Sequence, residues 1–131
     1  MLNKMIRIAA AGALALTLSA VGNTAAIAKD GDVVRTGSCS GSSDWKLKLS
    51  PENGRIEVEY EVDSNKAGQD WRVRLFHDGT RFFKGVRTTS GASGSFTVRK
   101  VVDNHAGTDS FRARAVNLSS GEVCGGSASI G

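Results

Sequence analysis

From Trp45 to Phe76 the chain runs in strict alternation, and this constrains its fold more than any other feature. The stretch "WKLKLS" sets Trp45, Leu47 and Leu49 against Lys46 and Lys48. "RIEVEYEV" sets Ile56, Val58, Tyr60 and Val62 against Glu57, Glu59 and Glu61, and "WRVRLF" sets Trp71, Val73 and Leu75 against Arg72, Arg74 and Phe76. A period of two places the apolar set on one face of an extended strand and the charged set on the other, whereas a helix would scatter both around its axis. "TRFFKGVRTT", "GSFTVRKVV" and "DSFRARAV" continue the style, a last strand is expected near Glu122–Ile130, and a short one near Val34–Ser38.

Turn residues separate the strands at Pro51–Gly54, Asn65–Gly68, Asp78-Gly79, Gly91–Gly94, Asn104–Gly107 and Ser119–Gly121. No helical period of useful length follows residue 28. Short, evenly spaced strands of this kind predict an all-β fold, a single antiparallel sandwich or small barrel of about seven to eight strands.

The first 28 residues read as a cleaved signal peptide. Lys4 and Arg7 precede an apolar run from Ile8 to Val21, followed by the small-residue site Ala26-Ile27-Ala28. Residues 29–131 are then the mature β domain, with 29–43 a partly irregular N-terminal segment, no membrane span, and a secreted or envelope location. The whole chain carries a net charge of +4; losing Lys4 and Arg7 brings it to +2, too slight an excess for a dedicated nucleic-acid binder. Cys39 and Cys124 are the two cysteines, and in an oxidising compartment they predict a disulfide. The expectation is a monomer without cofactor or metal.

"DNHAGTDSFRARAVN" resembles the penultimate strand and preceding corner of immunoglobulin-like and fibronectin type III domains. Residues 35 to 126 as a whole, with "GSF.VR" and "AG.D.F.A.A" segments, resemble a group of small uncharacterised exported proteins of actinobacteria. The resemblance implies an immunoglobulin-like sandwich and a habitat, and no activity. Phe111 stands where those domains place a corner tyrosine, and Ala113 where they place a cysteine. The bridge is instead expected to tie the first strand to the last, which lie side by side in such folds.

Catalytic constellations are sparse. His77 and His105 fall in turn segments beside Asp78 and Asp103 and read as solvated turn residues. No serine occupies a nucleophile elbow, and the Glu57, Glu59 and Glu61 row lies on one strand, where it cannot face a partner carboxylate across a cleft. Asp103, Asn104 and Asp109 lack the oxygen spacing of a calcium loop. The expected function is therefore non-enzymatic.

The strand phases make a sharper statement about the surface. In an immunoglobulin-like order, the glutamate row would lie between Lys46 and Lys48 on one side and Arg99 on the other. Arg72, Arg74, Arg112 and Arg114 would stand together on the second sheet, extended by Lys84 and Arg87, with Phe76 and Phe82 beside them. Phe82 and Phe83 are adjacent and are not expected to point inward together. Arginine with exposed aromatics is the composition of a binding face, suited to an anionic envelope polymer or a protein. The alternative function is a carbohydrate-binding module, for which the inward phase of Trp45 and Trp71 is the difficulty.

Overall fold

The computed structural model describes residues 29–131; the leader lies outside them. Eight strands follow one another: β1 (Val33–Ser38), β2 (Asp44–Glu52), β3 (Arg55–Asp63), β4 (Asp70–His77), β5 (Thr80–Thr88), β6 (Ser95–Asp103), β7 (Asp109–Asn117) and β8 (Val123–Ile130). They form two four-stranded sheets in the orders β1-β2-β3-β6 and β5-β4-β7-β8, with every pairing antiparallel. This is an all-β sandwich, and its order is compatible with the immunoglobulin-like expectation. No helix among the described residues is long and apolar enough to cross a membrane.

Two hairpins turn on the residues their geometry demands. Asn53-Gly54 (φ 51° and 78°) joins β2 to β3, and Asp78-Gly79 (φ 48° and 86°) joins β4 to β5. Two successive positive φ angles define the tight turn whose twist matches antiparallel strands, and Asn or Asp followed by Gly adopts it at least cost.

The inward phases of the alternating strands meet as one core. Leu47, Leu49, Ile56, Val58, Tyr60 and Val62 from the first sheet pack against Trp71, Val73, Leu75, Phe111, Ala113 and Ala115 from the second. Tyr60 sends its hydroxyl across the sandwich to donate to the Cys124 carbonyl at 2.9 Å, and burial pushes its phenol pKa up. Outside, the glutamate row is neutralised as expected. Lys46 meets Glu61 at 3.7 Å, Lys48 meets Glu59 at 3.8 Å, and Arg99 pairs with Glu57.

The two sides of the sandwich close differently. On one side Trp45 lies over Gly37 of β1 and Gly126 of β8, where a Cβ at either glycine would overlap its ring. Nearby, Cys39 and Cys124 form a disulfide, tying the start of the fold to β8. The Glu122 carboxylate accepts from Gly41 N (3.0 Å), Ser43 N (2.9 Å) and Ser43 Oγ (3.0 Å), so the loop between β1 and β2 wraps a single acid. On the other side the Phe83 ring of β5 lies between Arg87 and Lys100, each cation 5.0 Å from its centroid.

Two outcomes test this architecture. The disulfide spans 85 residues of sequence, and chain entropy assigns a loop of that size about 4.5 kcal/mol as an upper figure. Reduction is therefore expected to lower the melting temperature by roughly 10 °C or more, and coincident melts with and without reductant would refute the role. Gly126→Ala should destabilise by about 1–3 kcal/mol through overpacking against Trp45, measured by denaturant unfolding beside Gly125→Ala, whose Cβ would find ordinary contacts.

Candidate functional site

Two features of the second sheet stand out from its structural duties. One is its outer face. Register sets Lys84, Arg74 and Arg114 in one row across β5, β4 and β7, and Arg81, Phe76 and Arg112 in the next. Arg72 extends the patch between Val86 and Val116. The Arg112 guanidinium lies over the Phe76 ring, 4.0 Å from its centroid, a cation–π contact across the β4–β7 pair. None of these six cations forms an ion pair among the described residues. On this face β4 carries carboxylates only at its beginning, where Asp70 is bound by Thr88, and just past its end at Asp78. Beyond β7 the outer positions of β8 are small: Gly125 opposes Arg114 and Ser127 opposes Arg112. They leave a shallow groove of about 280 Å³ beside the two arginines.

Two residues expected on this face lie elsewhere. A bulge between Leu75 and Phe76 shifts the register of β5, so that Leu75 opposes Phe83, Phe76 opposes Arg81, and Phe82 is the extra residue between them. A bulged pair escapes the alternation that separates neighbours onto opposite faces. Phe82 and Phe83 accordingly both pack against the core, Phe82 edge-on to Phe111 at 6.2 Å. Arg87 opposes the buried Trp71, on the inward phase of an edge strand, and its charge covers Phe83 instead of joining the other arginines.

The second feature is a corner that was expected to be solvated. His77 ends β4 and is only 7% exposed, while Asp109 opens β7 and is wholly buried. The Asp78-Gly79 turn and the loop between β6 and β7 bring Asp78 and His105 to the same place. His77 Nε2 lies 2.6 Å from Asp109 Oδ2, and His105 Nδ1 lies 2.6 Å from Asp78 Oδ2. The diagonal approaches are 3.6 Å from His77 Nε2 to Asp78 Oδ2 and 4.0 Å from His105 Nδ1 to Asp109 Oδ2.

Backbone donors orient both acids. Ser110 N donates to Asp78 Oδ1 at 2.8 Å, and His105 N donates to Asp109 Oδ2 at 2.9 Å. The Ser110 hydrogen bond, followed by that to His105, holds the Asp78 carboxyl below its ordinary range. Behind them the rings stack, Phe111 on His77 at 4.3 Å and His77 on His105 at 3.9 Å, within 11° and 9° of parallel. Asp109 Oδ1 is buried and has no hydrogen-bond partner.

The Asp103, Asn104 and Asp109 trio does not assemble around a common point through its acids. Asp103 pairs outward with Arg55 at 3.3 Å, while Asp109 turns in to His77. Trp71 is fully buried and cannot meet a sugar ring, while Trp45 is half-buried, seated over its two glycines. No protein-family model, curated protein or solved structure matches this chain.

Asp109→Ala should cost about 2–4 kcal/mol, because it strips a buried imidazole and a backbone N–H of their common acceptor. Asp103→Ala, at an exposed ion pair, should stay within roughly 0.5–1 kcal/mol of the parent. Urea unfolding of the two variants side by side measures the contrast, and equal losses would contradict it.

Proposed function

We propose that the protein is an exported, non-enzymatic binding module of the cell envelope or its surroundings, which meets an anionic polymer through the outer face of its second sheet. Kinship with immunoglobulin-like domains and with small exported actinobacterial proteins belongs to the same reading. The strand order and the disulfide support it.

The observation that carries the proposal is the direct opposition of Arg74 and Arg114, with Lys84 next in the row and no acid to pair with any of them. Like charges facing each other across strands cost stability. The first sheet avoids that cost by interleaving lysine, glutamate and arginine, so the same chain neutralises one face and leaves the other cationic. Guanidinium groups on a rigid sheet present planar donors to phosphate or carboxylate oxygens. The small residues of β8 leave the flank of Arg112 and Arg114 open to an extended chain.

Replacing Arg72, Arg74, Arg112 and Arg114 together with Ser should weaken retention on purified anionic wall polymer by roughly a hundredfold or more, at about 1 kcal/mol per cation near an anionic surface. Retention of the parent should also fall steeply towards about 0.5 M salt, where screening is short-ranged. Changing Glu57, Glu59 and Glu61 to Gln on the opposite face should not weaken it. Undiminished retention of the four-serine variant would reject the proposal, as would capture by a single envelope protein with no affinity for the polymer.

A further inference from the structure

We propose that His77, Asp78, His105 and Asp109 form a binding site for a divalent transition-metal ion of the Zn²⁺ class, which clamps the β4–β5 turn to the β6–β7 loop. The inference is independent of the cationic face.

Each of the four side chains offers one donor atom within 4.8 Å of the other three, and the close approaches run through His77 Nε2, His105 Nδ1, Asp78 Oδ2 and Asp109 Oδ2. The nitrogen-to-oxygen separations between these side chains run from 2.6 to 4.0 Å. A tetrahedral Zn²⁺ with ligands at about 2.0–2.1 Å sets its donors about 3.3 Å apart, within that span. Two imidazoles and two carboxylates suit a borderline ion better than Ca²⁺ or Mg²⁺, which favour oxygen alone.

The buried Asp109 Oδ1 is the independent sign. A carboxylate oxygen shut from water without a donor is costly, and a cation held at Oδ2 of the same carboxylate lowers that cost by neutralising the buried charge. The surroundings also have the makings of a metal site. Backbone N–H groups of Ser110 and His105 fix the two carboxylates, and Phe82 and Phe111 wall the His77 ring. Such outer contacts hold ligands ready in established sites. Asp78 and His105 are partly exposed and provide the route in, while His77 and Asp109 form the floor.

In the ion's absence each ring nitrogen shares a proton with a carboxylate. The ion takes the place of that proton: a charged imidazole releases it to solvent, and a neutral one carries it on its other nitrogen. With the rings stacked, both lone pairs cannot point at one centre, so His105, on the exposed loop, tilts out of the stack. Four protein ligands then close the site, the pattern of a structural ion.

The test titrates chelator-stripped protein with Zn²⁺ against a competing zinc-binding dye, following histidine ring resonances by NMR. Saturation at one ion per chain is expected, with a raised melting temperature and movement of the His77 and His105 ring signals as the stack opens. His105→Ala and Asp78→Asn, both at accessible positions, should each weaken binding at least about tenfold, since even outer-contact losses cost that much. Circular dichroism and the ion-free melting temperature establish that each variant is folded; His105→Gln replaces any that is not. The four-serine variant should bind Zn²⁺ like the parent. Absence of saturable uptake, unchanged affinity in either ligand variant, or displacement of Zn²⁺ by equimolar Ca²⁺ overturns the proposal.

Discussion

A slip of one residue between β4 and β7 would turn Trp71, Val73 and Leu75 out to water and bring Arg72, Arg74 and Phe76 into the core. The observed register opposes Trp71 to Asn117, Val73 to Ala115 and Leu75 to Ala113. Val73 and Leu75 on β4 thus face alanines on β7, while Trp71 packs beside the buried Asn117. The same register determines everything on the other side. It opposes Arg74 to Arg114 and Phe76 to Arg112, and it brings His77 against Phe111. Core, cationic face and histidine corner are therefore consequences of one pairing, and burial of the inner face resists its slipping.

The edges of the sandwich show how that centre is protected. β1 and β8 are edge strands of opposite sheets, and they are joined by the disulfide, by Glu122 and by Trp45. Gly37 and Gly126 are needed there because the indole occupies the space of their side chains. At the β5–β6 side, Arg87 and Lys100 cover Phe83 from two strands of different sheets. A charged side chain whose stem and head lie on an aromatic ring shields an apolar edge and also discourages pairing with another strand. Arg87 belongs to this closure, which is why its charge is absent from the outer patch.

Period-two alternation made the strands and their inward and outward faces legible from residues alone, because each is set by local phase; which strands share a sheet, and with it the pairing of the glutamate row, was legible only through the resemblance to an immunoglobulin-like order. Phe82 was misplaced for a reason equally local: the bulge at Leu75/Phe76 breaks the phase, and no residue type in "FFKG" announces it; Arg87, three residues from Lys84, falls on the opposite face by plain alternation. The corner was hidden differently. His77-Asp78 and His105 to Asp109 are separated by the whole of β5 and β6, and each looks like a polar turn when taken alone. The usable signal was the pairing of "WRVRLF" with "DSFRARAV". Once those strands are antiparallel neighbours, the end of one meets the beginning of the other, and "HD" must face "HAGTD".

Burial of Asp109 then follows from phase as well. It shares the inward set of β7 with Phe111, Ala113 and Ala115, so a carboxylate stands at the first position of an apolar row. An acid there is tolerable only with partners, and the corner supplies them through His77 and the His105 amide. Phe111 has no hydroxyl to anchor the loop. Its ring instead supports a stack of two imidazoles, and the anchoring passes to the acids on either side. The corner is thereby held by groups that exchange protons and coordinate ions, whereas a phenol would have held it by one neutral hydrogen bond. Whatever alters the charge of those groups acts directly on the end of the β4–β7 pair, the element on which the cationic face is built.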